Sequence, residues 1–236
     1  MFSLYNDDYL SCINKIDNNS VGLILTDIPY NISKKNGFGG YDKKNNRNRT
    51  GIDFGEWDKG FDETGLSNLI PLVKNGGSIL IFCSFEQIGT IIEVFSDLEL
   101  KDKIIWEKTN PFVRNRDRRY ISNIEICLWF VKPGDKWVFN RYDETYEGCV
   151  LRYPSESGGG YTRYHPTQKN LKLIEYILAI HSNENDTILD PFMGSGTTGV
   201  ACVNSNRNFI GIEINEEYYN ISKSRIEKAY GVLKFQ

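Results

Sequence analysis

Two short segments of the chain carry residue types able to do chemistry, and the first is Asp27-Ile28-Pro29-Tyr30. It follows the apolar run Val21 to Leu25, which predicts a buried strand, so it lies where open α/β sheets place their ligands. The carboxylate and the Ile28 carbonyl are two acceptors that would help to localise the lone pair of a ring-conjugated amino group. Pro29 would hold that carbonyl in place, and Tyr30 offers a flat face for stacking a base. Taken alone, the tetrapeptide is more simply a proline-containing turn.

The second segment runs from Asp190 to Gly199 and contains a Gly-x-Gly-x-x-Gly pattern. It lies between a predicted strand, Thr187 to Leu189, and a predicted helix, Thr197 to Asn204, and Glu213 ends the next predicted strand. Glycines at such a turn let the backbone approach a ligand, and the carboxylate accepts ribose hydroxyls. The order of these parts predicts a nucleotide site, with a ligand-free strand-to-helix turn as the alternative.

Two features bear on which nucleotide would bind. Asp190 at the strand end would repel a pyrophosphate, whereas it suits the cationic amino-acid end of S-adenosylmethionine. The chain also ends at residue 236, too soon after Glu213 for the further strands of a dinucleotide fold. The rest of the sheet must therefore come from the N-terminal part, which predicts a circularly permuted order of motifs. A nucleotide-dependent oxidoreductase that binds NAD at this loop stays open as an alternative.

Strands and helices alternate along the chain, which predicts a parallel-dominated α/β sheet. Asn75-Gly76-Gly77 is a C-cap pattern that would end a helix over Leu66 to Val73. The remaining helices are expected at 9–16, 88–95, 171–181 and 216–230. The remaining strands are expected at 78–83, 103–106, 125–131 and 209–212, and Gly158-Gly159-Gly160 is expected to be a hinge.

Composition limits the class of protein without fixing its function. The 236 residues are 40% hydrophobic and 25% charged, as in an ordinary single domain, and no apolar run is long enough to span a membrane. Five scattered cysteines argue against disulfides and against a metal site, and predict buried thiols in a reducing, cytoplasmic compartment. The net charge of −3 argues mildly against nucleic-acid binding, although two local clusters are basic. Alone, each cluster would more simply be a solvated face or a loop.

With both motifs in this order, the sequence resembles the β-class DNA amino-methyltransferases, in which the catalytic motif precedes the target-recognition region and the cofactor motifs. The tetrapeptide resembles the Asp-Pro-Pro-Tyr signature of that family, and the segment from Asp190 to Gly199 resembles its cofactor loop. The segments 6–10, 106–111 and 165–169 also resemble family segments, so that the resemblance covers nearly the whole chain. It implies a Rossmann-like fold, mostly parallel with helices on both faces, S-adenosylmethionine as cofactor and DNA as partner. It makes a homodimer plausible.

The resemblance also implies roles for individual residues. Glu213 would hold the ribose, Asp8 or its neighbour Asp7 would lie near the adenine, and Thr167 and Lys169 would face the cofactor carboxylate. The residues implied to line the methionine and ribose part of the cofactor are Asp190, Phe192, Gly194, Ser195, Gly196 and Thr197. The sequence departs from the signature at Ile28, where the family has proline. Because the acceptor at this position is a backbone carbonyl, which any residue supplies, methyl transfer should survive the change. The alternatives are an enzyme of reduced activity and a non-catalytic DNA-binding relic.

In this context the two basic clusters gain a role at the phosphate backbone. The residues expected to contact DNA are Lys43, Lys44, Arg47, Arg49, Arg114, Arg116, Arg118 and Arg119. A single methyltransferase domain is expected over 1–236, with a flexible basic loop at 31–56 and a DNA-contact and target-recognition insertion within 108–164. Aspartate at the first tetrapeptide position favours the N6 amino group of adenine, and the N4 amino group of cytosine is the alternative.

Overall fold

A single eight-stranded sheet organises the part of the chain that the structure describes. The structure is a computed structural model that describes residues 1–31, 41–42, 47–48, 60–111, 120–141, 148–156, 164 and 168–233. The strands are β1 (Phe2–Tyr5), β2 (Val21–Asp27), β3 (Tyr41–Asp42), β4 (Arg47–Asn48), β5 (Val73–Cys83), β6 (Glu99–Lys108), β7 (Ile124–Val131), β8 (Val150–Tyr153), β9 (Thr187–Asp190) and β10 (Asn208–Ile212). Strands β3 and β4 form a separate two-stranded pair.

The helices are α1 (Tyr9–Cys12), α2 (Ile88–Val94), α3 (Leu171–His181), α4 (Thr197–Asn204) and α5 (Glu216–Leu233). Three 3₁₀ helices cover Ile13–Lys15, Glu63–Leu72 and Phe85–Gln87. The order of strands in the large sheet is β1-β10-β9-β2-β5-β7-β6-β8. The neighbouring strands β1, β10, β9, β2 and β5 pair in parallel. Strand β7 runs antiparallel to both of its neighbours, β5 and β6. The sheet is thus mixed but mostly parallel, as the alternation of elements predicts.

The alternation of side chains along the central strands creates two cores, one on each face of the sheet. In β2, Ile24 contributes to one core, while Leu23 and Leu25 contribute to the other. The first core is covered by α1, α2 and the 3₁₀ helix Glu63–Leu72, and the second by α3, α4 and α5. Both faces are therefore buried, which explains why β2 is apolar at successive positions rather than at every second one. The expected fold, a Rossmann-like methyltransferase sheet with permuted motif order, is confirmed.

The permuted order has a direct structural consequence. Strand β9, from the C-terminal part of the chain, inserts beside β2, so that Leu23 and Ile24 pair with Ile188 and Leu189. The segment that follows β2 and the Gly-rich segment that follows β9 therefore leave the sheet at the same edge and side by side.

Helices α3 and α4 have the predicted bounds, and the other predicted elements are present with shifted ends. The expectation that Asn75-Gly76-Gly77 ends a helix is wrong, because this segment lies inside β5. The preceding helix ends at Leu72 and is a 3₁₀ helix with Pro71 near its end. Between Val73 and Ser78 the pairing with β2 is irregular, and Gly76 has a φ of 70°. The glycines thus make a bulge rather than a cap.

Strands β1 and β8 were not predicted. Four cysteines are buried, Cys149 is exposed, and all five are free thiols. Within the described ranges no helix is both long and apolar enough to cross a membrane. The hinge expected at 158–160, most of the loop at 31–56 and much of 108–164 lie outside the described residues, so the expected division of the chain stays a prediction.

Candidate active site

A cleft of about 410 Å³ opens at the edge of the sheet where β2, β9 and β10 end. All four residues of the tetrapeptide line it, as do residues from the turn between β9 and α4 and from the start of α1. The predicted cofactor residues that line the cleft are Asp8, Lys169, Asp190, Phe192, Gly194, Ser195, Thr197 and Glu213. The two motifs, whose first residues Asp27 and Asp190 are 163 positions apart in sequence, therefore share one cavity.

The tetrapeptide continues β2 and turns into the cleft. The backbone N–H of Ile28 donates to the carbonyl of Phe82 at 3.3 Å, which fixes the turn against β5, and the Ile28 side chain is buried in the first core. The Tyr30 hydroxyl donates to Asp27 Oδ1 at 2.7 Å. Among the described residues, none donates to the Ile28 carbonyl.

Gln87 holds the tetrapeptide from the other side. Its Nε2 donates to the Pro29 carbonyl at 2.8 Å and to Glu63 Oε1 at 2.7 Å. Its Oε1 accepts from the backbone N–H of Ser84 at 3.0 Å, as half of a capping box at the start of the 3₁₀ helix Phe85–Gln87. Gln87 is buried, and its bond to Pro29 is buried with it, whereas its bonds with Glu63 and Ser84 are partly buried. One side chain thus ties the turn after β2 to the turn after β5.

A series of side chains with alternating charge leads away from the Asp27 carboxylate. Lys169 Nζ forms an ion pair with Asp27 Oδ2 and a second one, at 2.9 Å, with Glu125 Oε2. The other oxygen of Glu125 pairs with Lys108 Nζ at 2.5 Å. Lys169 also lies over the ring of Phe82, with its ammonium 5.0 Å from the centroid. Two carboxylates and two ammonium groups therefore balance one another in a largely buried setting.

The two carboxylates of this series have opposite protonation tendencies. Burial raises the pKa of Asp27 more than its Lys169 contact lowers it. Burial also acts on Glu125, but Lys169 and Lys108 outweigh it and lower the pKa to about 2. Burial would lower the pKa of Lys169, yet the two carboxylates raise it. Glu125 and Lys169 are therefore charged at neutral pH, and Asp27 is the carboxylate more ready to take a proton.

Asp190 connects the two motifs directly. The Thr26 hydroxyl donates to its Oδ1, and the Thr198 hydroxyl donates to its Oδ2, both at 2.7 Å. The backbone N–H of Phe192 also donates to Oδ1, at 3.2 Å. Burial raises the pKa of Asp190 to about 6 in spite of these donors. The carboxylate thus joins the end of β2 to the first turn of α4 and faces the cleft.

The turn between β9 and α4 is closed by Glu213 at the end of β10. Its Oε2 accepts from the backbone N–H of Gly194 at 2.9 Å, and its Oε1 accepts from that of Asn215 at 2.8 Å. Burial raises the pKa of this carboxyl. Gly196 has a φ of 80° and lies against α5, where an added Cβ would be 2.7 Å from the Ser222 Cβ. This glycine therefore permits close packing of the turn on α5 and does not line the cleft.

Aromatic side chains form one wall of the cavity. The Phe192 ring lies 4.9 Å from the Tyr9 ring and 5.2 Å from the Phe61 ring, centroid to centroid. The Phe61 backbone is fixed by Asn31, whose Oδ1 accepts from its N–H at 2.9 Å. Flat apolar faces next to a carboxylate suit a ligand that combines a ring with hydroxyl groups.

Comparison with known proteins decides the family. A family model for DNA methylases of the N6/N4 type matches residues 21–224. This chain is a member of that DNA methylase family. The match confirms the resemblance inferred from the sequence, and it gives no support to the oxidoreductase alternative.

Two relatives and one crystal structure show how far the similarity extends. The Type II methyltransferase M2.MboI of Moraxella bovis is 31% identical over 251 residues, which cover 99% of the methylase and 90% of that relative. The Type II methyltransferase M2.LlaDCHI of Lactococcus lactis subsp. cremoris is 31% identical over 255 residues, covering 97% and 91%. The crystal structure of the M1.HpyAVI–SAM complex is 37% identical, with a TM-score of 0.74, and the match covers 96% of the methylase and 99% of that chain.

The structure does not reach every predicted site residue of the methylase. Thr167, Lys43, Lys44, Arg49 and the arginines at 114, 116, 118 and 119 lie outside the described residues, and the Arg47 side chain does too. Lys169 lines the cleft but is paired with Asp27 and Glu125. The functional roles assigned to these residues stay predictions.

Sequence reasoning missed several residues that build this site. Gln87 and Glu125 contact the tetrapeptide or its partners, and Tyr9, Phe61 and Gln168 line the cleft. Two of them left a local signal. Ser84-x-x-Gln87 before an apolar helix is a capping-box pattern, and Glu125 is a charged residue at the start of the apolar strand β7. Tyr9 and Gln168 lie in the segments 6–10 and 165–169 that resemble family segments, and Phe61 reaches the cleft through long-range contacts.

Proposed function

We propose that this methylase transfers a methyl group from S-adenosylmethionine to the N6 amino group of adenine in DNA. The observation that carries the proposal is the shared cleft, which is lined by Asp27 and Ile28 together with residues of the Gly-rich turn. Membership of the DNA methylase family accounts for DNA as the substrate. Asp27 at the first tetrapeptide position favours adenine over cytosine.

The cavity fits S-adenosylmethionine in size and chemistry. Its volume of about 410 Å³ lies within the range of about 300–1,000 Å³ found for small-molecule sites. The wall formed by Tyr9, Phe61 and Phe192 suits the adenine, with Asp8 near its edge. Glu213 suits the ribose hydroxyls, because its two oxygens retain lone pairs beyond those that accept from Gly194 and Asn215. When bound, this donor supplies an electrophilic methyl group on a positively charged sulfur.

The carboxylate Asp190 suits the ammonium end of that donor. It faces the cleft, and its partners are all neutral donors, so its negative charge is not balanced by a protein cation among the described residues. A cationic ligand would stabilise the ionised form and bring the pKa down from about 6. Ser195, Thr197 and the Gly194 backbone complete this end of the site. Gly196 acts by shaping the turn.

Asp27 and Ile28 prepare the attacking nitrogen. A flipped adenine stacks on Tyr30 and donates its two amino hydrogens to the Asp27 carboxylate and the Ile28 carbonyl, which localises the nitrogen lone pair. The nitrogen forms a bond to the methyl carbon as the carbon–sulfur bond breaks, and S-adenosylhomocysteine results. The nitrogen then loses one proton toward Asp27, whose raised pKa suits it to accept. The isoleucine at the second position is tolerated because the acceptor belongs to the backbone.

The basic clusters complete the proposal as the DNA-contacting surface. Lys43, Lys44, Arg47 and Arg49 lie in the segment that follows the tetrapeptide, and Arg114, Arg116, Arg118 and Arg119 lie between β6 and β7. Strand β6 ends at Lys108 and β7 begins at Ile124, next to the Glu125 that faces the site. The supporting argument is that both clusters are connected to the active-site edge of the sheet by short stretches of chain. We also propose a cytoplasmic location, in line with the free cysteines, and a homodimer as the assembly.

Methyl transfer to DNA tests the proposal. The protein is incubated with S-adenosylmethionine carrying a tritiated methyl group and with mixed-sequence duplex DNA. The DNA is then digested, and the nucleosides are separated by chromatography. The expected result is label in N6-methyladenine. Label in N4-methylcytosine would assign the alternative base, and the absence of label in DNA would refute the proposed activity.

A further inference from the structure

The ion pairs around Asp27 contain an arrangement that the proposed chemistry does not use. Lys169, Glu125 and Lys108 follow one another away from Asp27, with Lys169 Nζ between the two carboxylates. The Lys169 side chain is only 7% exposed, yet it lines the ligand cleft. A buried lysine that faces the reacting carboxylate affects how that carboxylate meets its substrate.

In this arrangement Asp27 is already engaged on both oxygens. The Tyr30 hydroxyl donates to Oδ1, and Lys169 pairs with Oδ2. The proposed chemistry requires Asp27 to accept from the amino group of the target base. A full positive charge on Oδ2 takes up one of its lone-pair sites and draws electron density from the carboxylate, which makes Asp27 a weaker acceptor for the amino group. Withdrawal of the lysine would therefore strengthen the contact between Asp27 and the target base.

Glu125 provides the second position for the lysine. Its Oε2 is already 2.9 Å from Lys169 Nζ, so that a small movement suffices to exchange one carboxylate for the other. Lys108 lies on the far oxygen and, with Lys169, keeps Glu125 ionised. Lys169 Nζ contacts both carboxylates at once, so that a transfer from Asp27 to Glu125 strengthens a contact that already exists. The rings of Phe82 and Tyr30, at 5.0 and 5.6 Å, stabilise the cation in this space.

We propose that Lys169 substitutes for the target amino group in the free enzyme and transfers from Asp27 to Glu125 when the flipped base arrives. Glu125 is then a positioning residue, because it does not line the cleft and acts on the reacting groups through Lys169 and through the Tyr30 hydroxyl, which donates to its Oε2 at 3.4 Å. The inference rests on the proposed function and deepens it. It accounts for the presence of a second buried carboxylate that lies behind the lysine and does not line the cleft.

The proposal predicts an unusual relation between two substitutions. In Glu125→Gln the lysine has lost its second anion and stays on Asp27, so methyl transfer should fall by about 10- to 100-fold. In the double variant Glu125→Gln with Lys169→Met the competing cation is gone, so the double variant should transfer methyl groups faster than Glu125→Gln alone. A purely structural role for either residue predicts that the second substitution lowers the rate further.

The experiment measures single-turnover methyl transfer to duplex DNA at saturating S-adenosylmethionine for the parent, both single variants and the double variant. Calorimetric titration of S-adenosylmethionine is run in parallel, and its Kd should be unchanged in Glu125→Gln. Thermal unfolding confirms that each variant is folded, and Glu125→Asp, which keeps the charge, should retain most of the activity. Glu107→Gln is the matched control, since Glu107 belongs to the neighbouring strand β6 and pairs with the exposed Arg152.

The outcomes separate the two claims. An inactive parent refutes the proposed function and the inference with it. An active parent with a double variant no faster than Glu125→Gln overturns only the inference, as does a Glu125→Gln variant with the activity of the parent. If the loss in Glu125→Gln is explained by a weaker Kd for S-adenosylmethionine, the lysine belongs to the cofactor site and the transfer between carboxylates is refuted.

Discussion

Replacement of Gln87 by leucine should damage both stability and turnover, although Gln87 is not part of either motif. The substitution keeps a similar volume but removes the donor to the Pro29 carbonyl and the acceptor for the Ser84 N–H. Each buried polar group left without its partner costs about 1–3 kcal/mol, so two such groups cost about 2–6 kcal/mol. Because Ser84 is half-buried and its N–H can regain water, we expect the lower half, about 2–4 kcal/mol.

Urea unfolding measures this loss, with Glu86→Gln as the control at the exposed neighbouring position, where less than about 0.5 kcal/mol is expected. Methyl transfer should fall by about 10- to 100-fold as well, because a small misplacement of the Asp27 turn is costly for the reaction. Unchanged stability together with unchanged turnover in Gln87→Leu would show that this side chain does not hold the tetrapeptide.

Three further predictions concern separate parts of the molecule. Burial lowers the pKa of His181 to about 3, so the neutral imidazole contributes its full share of the folding stability above pH 6.5, and that share is lost as the pH falls below 6.5. The free energy of unfolding should therefore fall by about 1.4 kcal/mol per pH unit because of His181, and His181→Phe should remove this dependence. Urea unfolding midpoints from pH 7 to 5 measure the difference. Gly196→Ala should destabilise the fold by about 2–4 kcal/mol through its positive φ and the Ser222 contact, and a stable variant with weak cofactor binding would contradict this. Arg116→Ala with Arg118→Ala should weaken binding to all DNA sequences and flatten its salt dependence, and an unchanged slope would exclude phosphate contacts there.

Local patterns in the sequence predicted most of the elements that carry the two motifs. Helices α3 and α4 begin and end as expected, since α3 has helical periodicity after the capping residue Asn170 and α4 begins directly after the glycine turn. Strand β8 could not be predicted, because Val150–Tyr153 is short and its pairing partner β6 lies more than 40 residues earlier. The glycines at 76 and 77 misled the interpretation because a bulge and a helix cap favour the same residues.

The carboxylates that line the cleft could be predicted from the sequence, but the residues that hold them in position could not. Asp27, Asp190 and Glu213 each follow an apolar strand, and the carboxyl ends of neighbouring parallel strands meet at one edge. The contact of Gln87 with Pro29 joins residues 58 positions apart, and that of Glu125 with Lys169 joins residues 44 positions apart. The second contact depends on the antiparallel insertion of β7 between β5 and β6. No periodicity in a single sequence records that insertion.

Asp27→Ala tests the central claim most directly, because the account makes this carboxylate the group that prepares the target amino nitrogen. The variant is compared with the parent in tritiated methyl transfer to DNA and in calorimetric binding of S-adenosylmethionine. We predict that transfer is abolished while the cofactor still binds, since the ribose and ammonium sites are built from other residues. Retained methyl transfer by Asp27→Ala would contradict the account.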